Sequence, residues 1–193
     1  MERITINDSS MVCRILGIDN GTDKVGFTVA DYDIRTEDFD IVLCETYEVP
    51  YNYRSSRSRT YHNKGSFYAR LDLIGDYFES LLDEYRPHLI GCESPFGFRM
   101  MDAFKKLTIS MQMLDDIAYS LYPHVDFIKI APFEAKKAAA GNNKFQQEKE
   151  KVHEYILKNK SIHWPSSIDP LKVGPDGLDS VTVTLATANY VLL

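Results

Sequence analysis

The chain has 193 residues, 44% of them hydrophobic and 26% charged, with a formal net charge of −6. That composition suits one compact domain with a sizeable core and excludes an intrinsically disordered chain. No run of about 18 or more apolar residues exists, which excludes a membrane-spanning helix. The opening Met1-Glu-Arg-Ile-Thr-Ile-Asn-Asp lacks the basic-then-apolar order of a signal peptide. Cys13, Cys44 and Cys92 all fall in strand-like runs and form no metal-binding spacing, so they read as buried apolar residues in a reducing compartment. The expected location is the cytoplasm, of a bacterial host if the chain is phage-encoded.

In chain order, residues 1–11 read as a polar N-terminal extension and 12–193 as a single domain. Val12–Ile18 is a short apolar run ended by Asp19-Asn-Gly, a turn signal. Lys24–Ala30 and Asp40–Val49 are two further strands, and the short turns between them predict an antiparallel meander. From Ser66 to about Glu84 apolar residues recur at helical spacing (Phe67, Leu71, Ile74, Phe78, Leu81) until Pro87. His88–Cys92 is a buried strand, read as a parallel neighbour because a helix precedes it. Ser94–Phe98 is a loop, and Met101–Tyr122 a long helix with a methionine-rich face that fits a core stripe or a subunit interface. Val125–Ile130 is a strand, and Pro132–Ala140 a short helix broken by Gly141-Asn-Asn143. Gln146–Lys158 is another helix, and 164–177 a loop. In the last element Leu178, Val181, Thr182, Leu185, Ala188 and Leu192 share one helical face, although its β-branched residues leave a strand possible. This order predicts an α/β fold: a mixed five-stranded sheet, antiparallel meander plus parallel strands, with helices on both faces.

Two features carry chemistry. Between Val49 and Leu71 there is no acid, while Arg54, Arg57, Arg59, Lys64 and Arg70 supply positive charge among Tyr51, Tyr53, Tyr61, Phe67 and Tyr68. Cations hold phosphates and aromatic faces stack on unpaired bases. A solvated, partly ordered loop is the plainer reading.

The second feature is a set of four acids at element ends. Asp19 and Glu93 close strands, and Asp176 and Asp179 stand three apart where a helix begins. Taken singly, Asp19 is a turn former, Glu93 a surface residue and the pair helix caps. Taken together, the ends of the first strand, the first parallel strand and the last helix can meet at one end of the sheet. Converging carboxylates repel one another, and a divalent cation removes that repulsion. Mg²⁺ or Mn²⁺ and phosphoryl transfer follow, with two ions about 3.5–4 Å apart activating a water and stabilising the leaving oxygen. Gly21 and Gly26 beside Asp19 offer close approach to a phosphate backbone, or simply make turns.

Ile15-Leu-Gly-Ile-Asp-Asn-Gly-Thr22 with Val25-Gly-Phe-Thr-Val29 resembles the first hairpin of RuvC-type Holliday junction resolvases, in the RNase H-like (retroviral integrase) superfamily. Ile90-Gly-Cys-Glu-Ser-Pro-Phe96 resembles the second acidic motif of that family, and Asp176-Gly-Leu-Asp179 its C-terminal pair. The resemblance spans about Cys13 to Tyr190, making 12–193 an RNase H-like nuclease domain. It implies metal ligation by Asp19, Glu93, Asp176 and Asp179, with two Mg²⁺ per site and Mn²⁺ as a substitute. It places Phe96 where the family stacks an aromatic on a base near the crossover, and Lys136, Lys137 and Lys144 where it contacts phosphates. The methionine-faced helix matches the family's dimer helix. The implied function is a homodimeric endonuclease of DNA recombination and repair, cutting four-way junctions by paired nicks.

Two features depart from the family. Asn20 stands where the family usually has Pro, and the Arg/Tyr-rich segment Tyr51–Lys64 is longer than expected. The alternatives are a relative acting on other branched DNA or on RNA, a non-cleaving DNA-binding module, and an actin/Hsp70-like ATPase. The last is suggested by Gly17-Ile-Asp-Asn-Gly-Thr22, but the chain has no second phosphate hairpin.

Overall fold

The computed structural model describes residues 11–96, 101–140 and 148–191. The predicted extension, Lys144 and the break at 141–143 therefore lie outside the described residues, except that the backbone carbonyl of Met11 accepts from Ile34 N–H.

The strands are β1 (Val12–Asp19), β2 (Lys24–Asp33), β3 (Asp38–Glu48), β4 (Leu89–Glu93), β5 (Asp126–Ile130) and β6 (Ile162–His163). They form one sheet in the order β5-β4-β1-β2-β3-β6. The pairs β1–β2 and β2–β3 are antiparallel, while β4 is parallel to both β1 and β5. The mixed sheet matches the sequence reading, but it has six strands rather than five. The extra strand, β6, joins β3 in parallel through only Phe39↔Ile162 and Asp40↔His163. Two residues are too few to show an alternating pattern.

Helix α3 (Ser66–Tyr85) and helix α4 (Met101–Leu121) cover one face of the sheet. Alternate side chains of β1 and β2, Leu16, Ile18, Val25, Phe27 and Val29, pack there against Ile74, Phe78 and Leu114. At the end of α3, Arg86 adopts a left-handed conformation (φ 46°) directly before Pro87, so the helix stops where the proline requires.

The opposite face carries α5 (Pro132–Ala140), α6 (Lys149–Lys158) and α7 (Pro175–Ala188). Here Cys13, Ile15, Ala30 and Cys44 meet Leu178, Val181 and Leu185 of α7 and Val152 and Ile156 of α6. Helix α7 is buried at every position from Ser180 to Ala188, because it is covered by the sheet on one side and by α5 and α6 on the other. This settles the open choice between helix and strand. Its hydroxyls bond within the helix, Thr184 to the Ser180 carbonyl at 2.9 Å and Thr187 to that of Val183 at 2.7 Å. Buried polar groups are thereby satisfied without loss of the helix.

Glycines let α7 lie close on the sheet. A Cβ at Gly17 would stand 2.1 Å from Thr184 Oγ1, and one at Gly26 would stand 1.8 Å from the Asp176 carbonyl oxygen. The close neighbour of Gly26 is therefore the start of α7. Gly21 instead packs against the Lys24 carbonyl inside the β1–β2 turn. Neither glycine needs a phosphate to explain it.

All three cysteines are buried and free. Burial pushes the Cys13 and Cys44 thiols up to about 11, which suits apolar packing and not nucleophilic chemistry. Among the described residues, no helix is long and apolar enough to cross a membrane.

The segment read as a basic loop is folded. It forms α1 (Tyr53–Ser56) and α2 (Ser58–Lys64), which bury no side chain of their own. On α4, Met111, Leu114 and Ala118 are core, whereas Met101, Ile109, Tyr119 and Leu121 are exposed.

Candidate active site

The sheet brings the acids together because β1 and β4 run parallel and end level. Ile18 pairs with Cys92, so Asp19 and Glu93 follow on neighbouring strands. In each strand the acid shares the parity of residues that face α7: Ile15 and Gly17 precede Asp19, and Leu89 and Gly91 precede Glu93. Helix α7 begins over this strand end with Pro175 at its first turn, which places Asp176 and Asp179 against them. Its N-cap, Gly174, makes no side-chain capping bond, and neither aspartate serves as the cap. One carboxylate oxygen from each of Asp19, Asp176 and Asp179 lies within 4.8 Å of the others.

Glu93 stands beside this trio and outside the tight group. Its charge still acts on Asp19, and the charge of Asp179 acts on Glu93 in turn. Burial first, then the charges of Glu93, Asp179 and Asp176, push the Asp19 carboxyl up to about 8. Burial and Asp179 also raise Glu93, while Lys136 and Lys149 oppose the rise. Acids held in this state have charge they cannot relieve among themselves.

The turn after Asp19 is clamped onto α4. Asn20 Nδ2 donates to the Leu107 carbonyl at 2.9 Å, and Ser110 Oγ donates to the Gly21 carbonyl at 3.1 Å. Asn20 thus does what a turn proline cannot, tying the hairpin to a helix through a side-chain bond. Its Oδ1 is buried without a partner.

Two site neighbours escaped the sequence reading. On α6, His153 Nε2 lies 2.6 Å from Asp179 Oδ1, and Lys149 pairs with Asp179 Oδ2. Burial lowers the Lys149 ammonium, but its bond to Asp179 and the nearby Asp19 outweigh that, and the net direction is upward. Both oxygens of Asp179 are therefore engaged from one helix. The spacing of Lys149 and His153 at i and i+4 puts them on one helix face. That spacing was visible in the sequence, but their target lies on α7, 26 residues beyond His153.

The other expected site residues are spread around the acids. Lys136, on α5, is close enough to Glu93 to act on its carboxyl, whereas Lys137 is exposed. Phe96 is 83% exposed, so it is not a buried loop anchor. Arg57 is half-buried and pairs with the exposed Asp76 of α3, which offsets its charge. Arg54, Arg59 and Lys64 are exposed.

An all-oxygen donor set of several carboxylates suits a hard divalent cation such as Mg²⁺ or Mn²⁺. The raised Asp19 carboxyl fits the same group: burial raises it most, and a cation between the acids would offset both that burial and the repulsion from Glu93, Asp179 and Asp176.

No family model matches the sequence, and no curated protein does. Solved structures do match. Thermus thermophilus RuvC in complex with a Holliday junction substrate aligns over 92% of this chain and 94% of its own, with a TM-score of 0.66 and 16% identity. The yeast mitochondrial Holliday junction resolvase Ydc2 aligns over 95% of this chain and 81% of its own, with a TM-score of 0.63 and 15% identity. Fowlpox virus resolvase with its Holliday junction DNA covers 93% and 99%, with a TM-score of 0.51 and 14% identity. The chain has the fold of RuvC-type Holliday junction resolvases, an RNase H-like mixed α/β sheet with helices on both faces.

Proposed function

We propose that this protein is a metal-dependent, structure-selective endodeoxyribonuclease that resolves four-way DNA junctions. The observation that carries the reading is the meeting of Asp19, Asp176 and Asp179 within 4.8 Å at the strand ends of a resolvase fold, with Glu93 alongside. In this reading Asp19, Glu93, Asp176 and Asp179 hold two Mg²⁺ ions, or Mn²⁺ in their place. When bound, the ions supply an activated water and charge stabilisation for the phosphodiester, leaving 5′-phosphate and 3′-hydroxyl ends.

The protein's own groups then position the substrate. Asp19 is fixed by the Asn20 clamp, and Asp179 by His153 and Lys149. Lys136 and Lys137 on α5 face the nucleic-acid backbone, and exposed Phe96 stacks on a base at the branch point. A homodimer built on the exposed apolar residues of α4, Ile109 and Leu121 among them, supplies two such sites. Two-fold symmetry in the protein then matches that of the junction and gives paired nicks.

The test is cleavage of a synthetic four-way junction with Mg²⁺, beside linear duplex, a replication fork, a flap and an RNA duplex, with cut positions mapped. Symmetric nicks in the junction are expected. A protein that cuts no branched DNA with either metal is not this enzyme.

A further inference from the structure

We propose that α1 and α2 form a preformed contact for the phosphodiester backbone of a DNA arm beside the cut site, using Arg54, Arg59 and Lys64, with Tyr51 as a stacking face. The inference rests on the nuclease reading for the identity of the arm, and on separate residues for the contact.

Position comes first. Asp19 pairs with Gly26, Gly26 with Thr46, and Lys24 with Glu48, so β3 ends at the same end of the sheet as the acids. Helix α1 starts a few residues later. Neighbouring strands lie about 4.8 Å apart, so the end of β3 is roughly 10 Å from the end of β1. That is about three base-pair steps of duplex DNA. Lys136 and Lys149 approach the acids from α5 and α6, across the sheet from this segment. The segment, packed on α3, and these lysines thus flank the acid end of the sheet from opposite faces.

A segment that buries no side chain has no core to order it, yet this one is held at several points. Thr60 Oγ1 donates to Asp72 of α3 at 2.5 Å and Arg57 pairs with Asp76 of α3, while α3 itself is tied to the β1–β2 turn by Arg70 and Asp23. The Arg54 guanidinium lies 5.7 Å from the Tyr53 ring centroid and 5.5 Å from that of Tyr61, and Lys64 Nζ lies 5.9 Å from that of Tyr68. Such contacts hold cations in place without neutralising them.

Five cations and no acid lie between Val49 and Leu71. Asp76 and Asp23 neutralise Arg57 and Arg70, and no carboxylate among the described residues pairs with Arg54, Arg59 or Lys64. On a chain of net charge −6 these three cations stand unpaired near the end of the sheet where the acids meet. Tyr51 beside it is fully exposed, ready for an unpaired base at the branch.

The test measures binding of the full-length protein to a fluorescent four-way junction and to linear duplex, without divalent metal, across a salt series. Arg54→Gln, Arg59→Gln and Lys64→Gln are combined in one variant. Each phosphate contact contributes about 0.9 to the slope of log affinity against log salt, so the slope for the junction should fall by about 2 to 3. A control variant, Lys158→Gln with Lys160→Gln and Lys172→Gln, removes the same charge elsewhere and should leave the slope as it was. Tyr51→Ala should weaken junction binding several-fold and leave duplex binding alone. An unchanged slope in the first variant, or an equal fall in both triple variants, overturns the contact. Wild-type protein that cuts no branched DNA while the first variant still loses slope refutes the nuclease reading and leaves the contact standing.

Discussion

Helix α7 and the α1–α2 segment reach the same end of the sheet and are built in opposite ways. From Ser180 to Ala188, α7 is buried at every position, and it carries two acids into a cluster with a third. Helices α1 and α2 bury nothing and display cations. In the proposed reading, chemistry that depends on a few tenths of an ångström sits at the start of the most completely packed helix. Long-range charge attraction tolerates a surface element held by ion pairs and ring contacts. Damage should therefore be severe and local in the first region, and graded in the second.

The largest expected effect is that of Asp19→Asn on cleavage. It removes a charged ligand from the centre of the cluster and should bring junction cutting below detection, while junction binding persists. Cleavage near the wild-type rate would show that the acids are not the catalytic group.

A second effect of the same substitution concerns stability without metal. An unperturbed Asp ionises near 3.8, whereas Asp19 in the folded protein ionises at about 8. Between those values the folded state binds more protons than the unfolded one, so stability falls as pH rises. Asp19→Asn removes this penalty and should stabilise the metal-free protein at pH 8 by on the order of a few kcal/mol, the advantage vanishing near pH 4. Thermal melts at the two pH values measure it, and saturating Mg²⁺ should shrink the difference. A variant no more stable than wild type at pH 8 would mean that burial and the neighbouring acids do not hold the Asp19 carboxyl above its usual range.

His153→Gln should be smaller again. Losing the group that orients a metal-binding carboxylate typically weakens metal affinity by about 10- to 100-fold. Titration with Mn²⁺ followed by its paramagnetic signal reads this directly, and unchanged affinity would leave His153 with a packing role only.

The smallest effect belongs to the surface region. Arg57→Gln breaks an exposed ion pair and should cost no more than about 1 kcal/mol of global stability. Amide exchange across residues 53–64 should nevertheless speed up, because that pair is one of the few things holding α1 and α2 in place. Equal protection in wild type and variant would show that the ring contacts suffice.

The periodic parts of the chain were readable because burial imposes them. The meander, the parallel strand before Glu93 and the long helix over Met101–Leu121 all follow from alternating or helical apolar spacing. Helix α7 was ambiguous, because an element covered on all sides loses the polar face that marks a helix. Strand β6 was invisible for want of length. The basic segment misread as a loop is helical without an apolar stripe, since ion pairs and rings hold it instead.

The sequence alone determined which acids end which elements, since strand ends and helix starts are set by local patterns and turn residues. It also determined the order of the motifs that resemble a resolvase. Only the tertiary structure decided that Asp19, Asp176 and Asp179 form the tight group while Glu93 stands beside it, and that Lys149 and His153 reach Asp179 from another helix. It likewise paired Arg57 with Asp76 and left Arg54, Arg59 and Lys64 without a carboxylate partner among the described residues. The physical reason is common to all of these. Local spacing fixes the direction of a side chain within its own element, but which charges meet across elements depends on strand register and on how closely α7 is allowed to lie on the sheet.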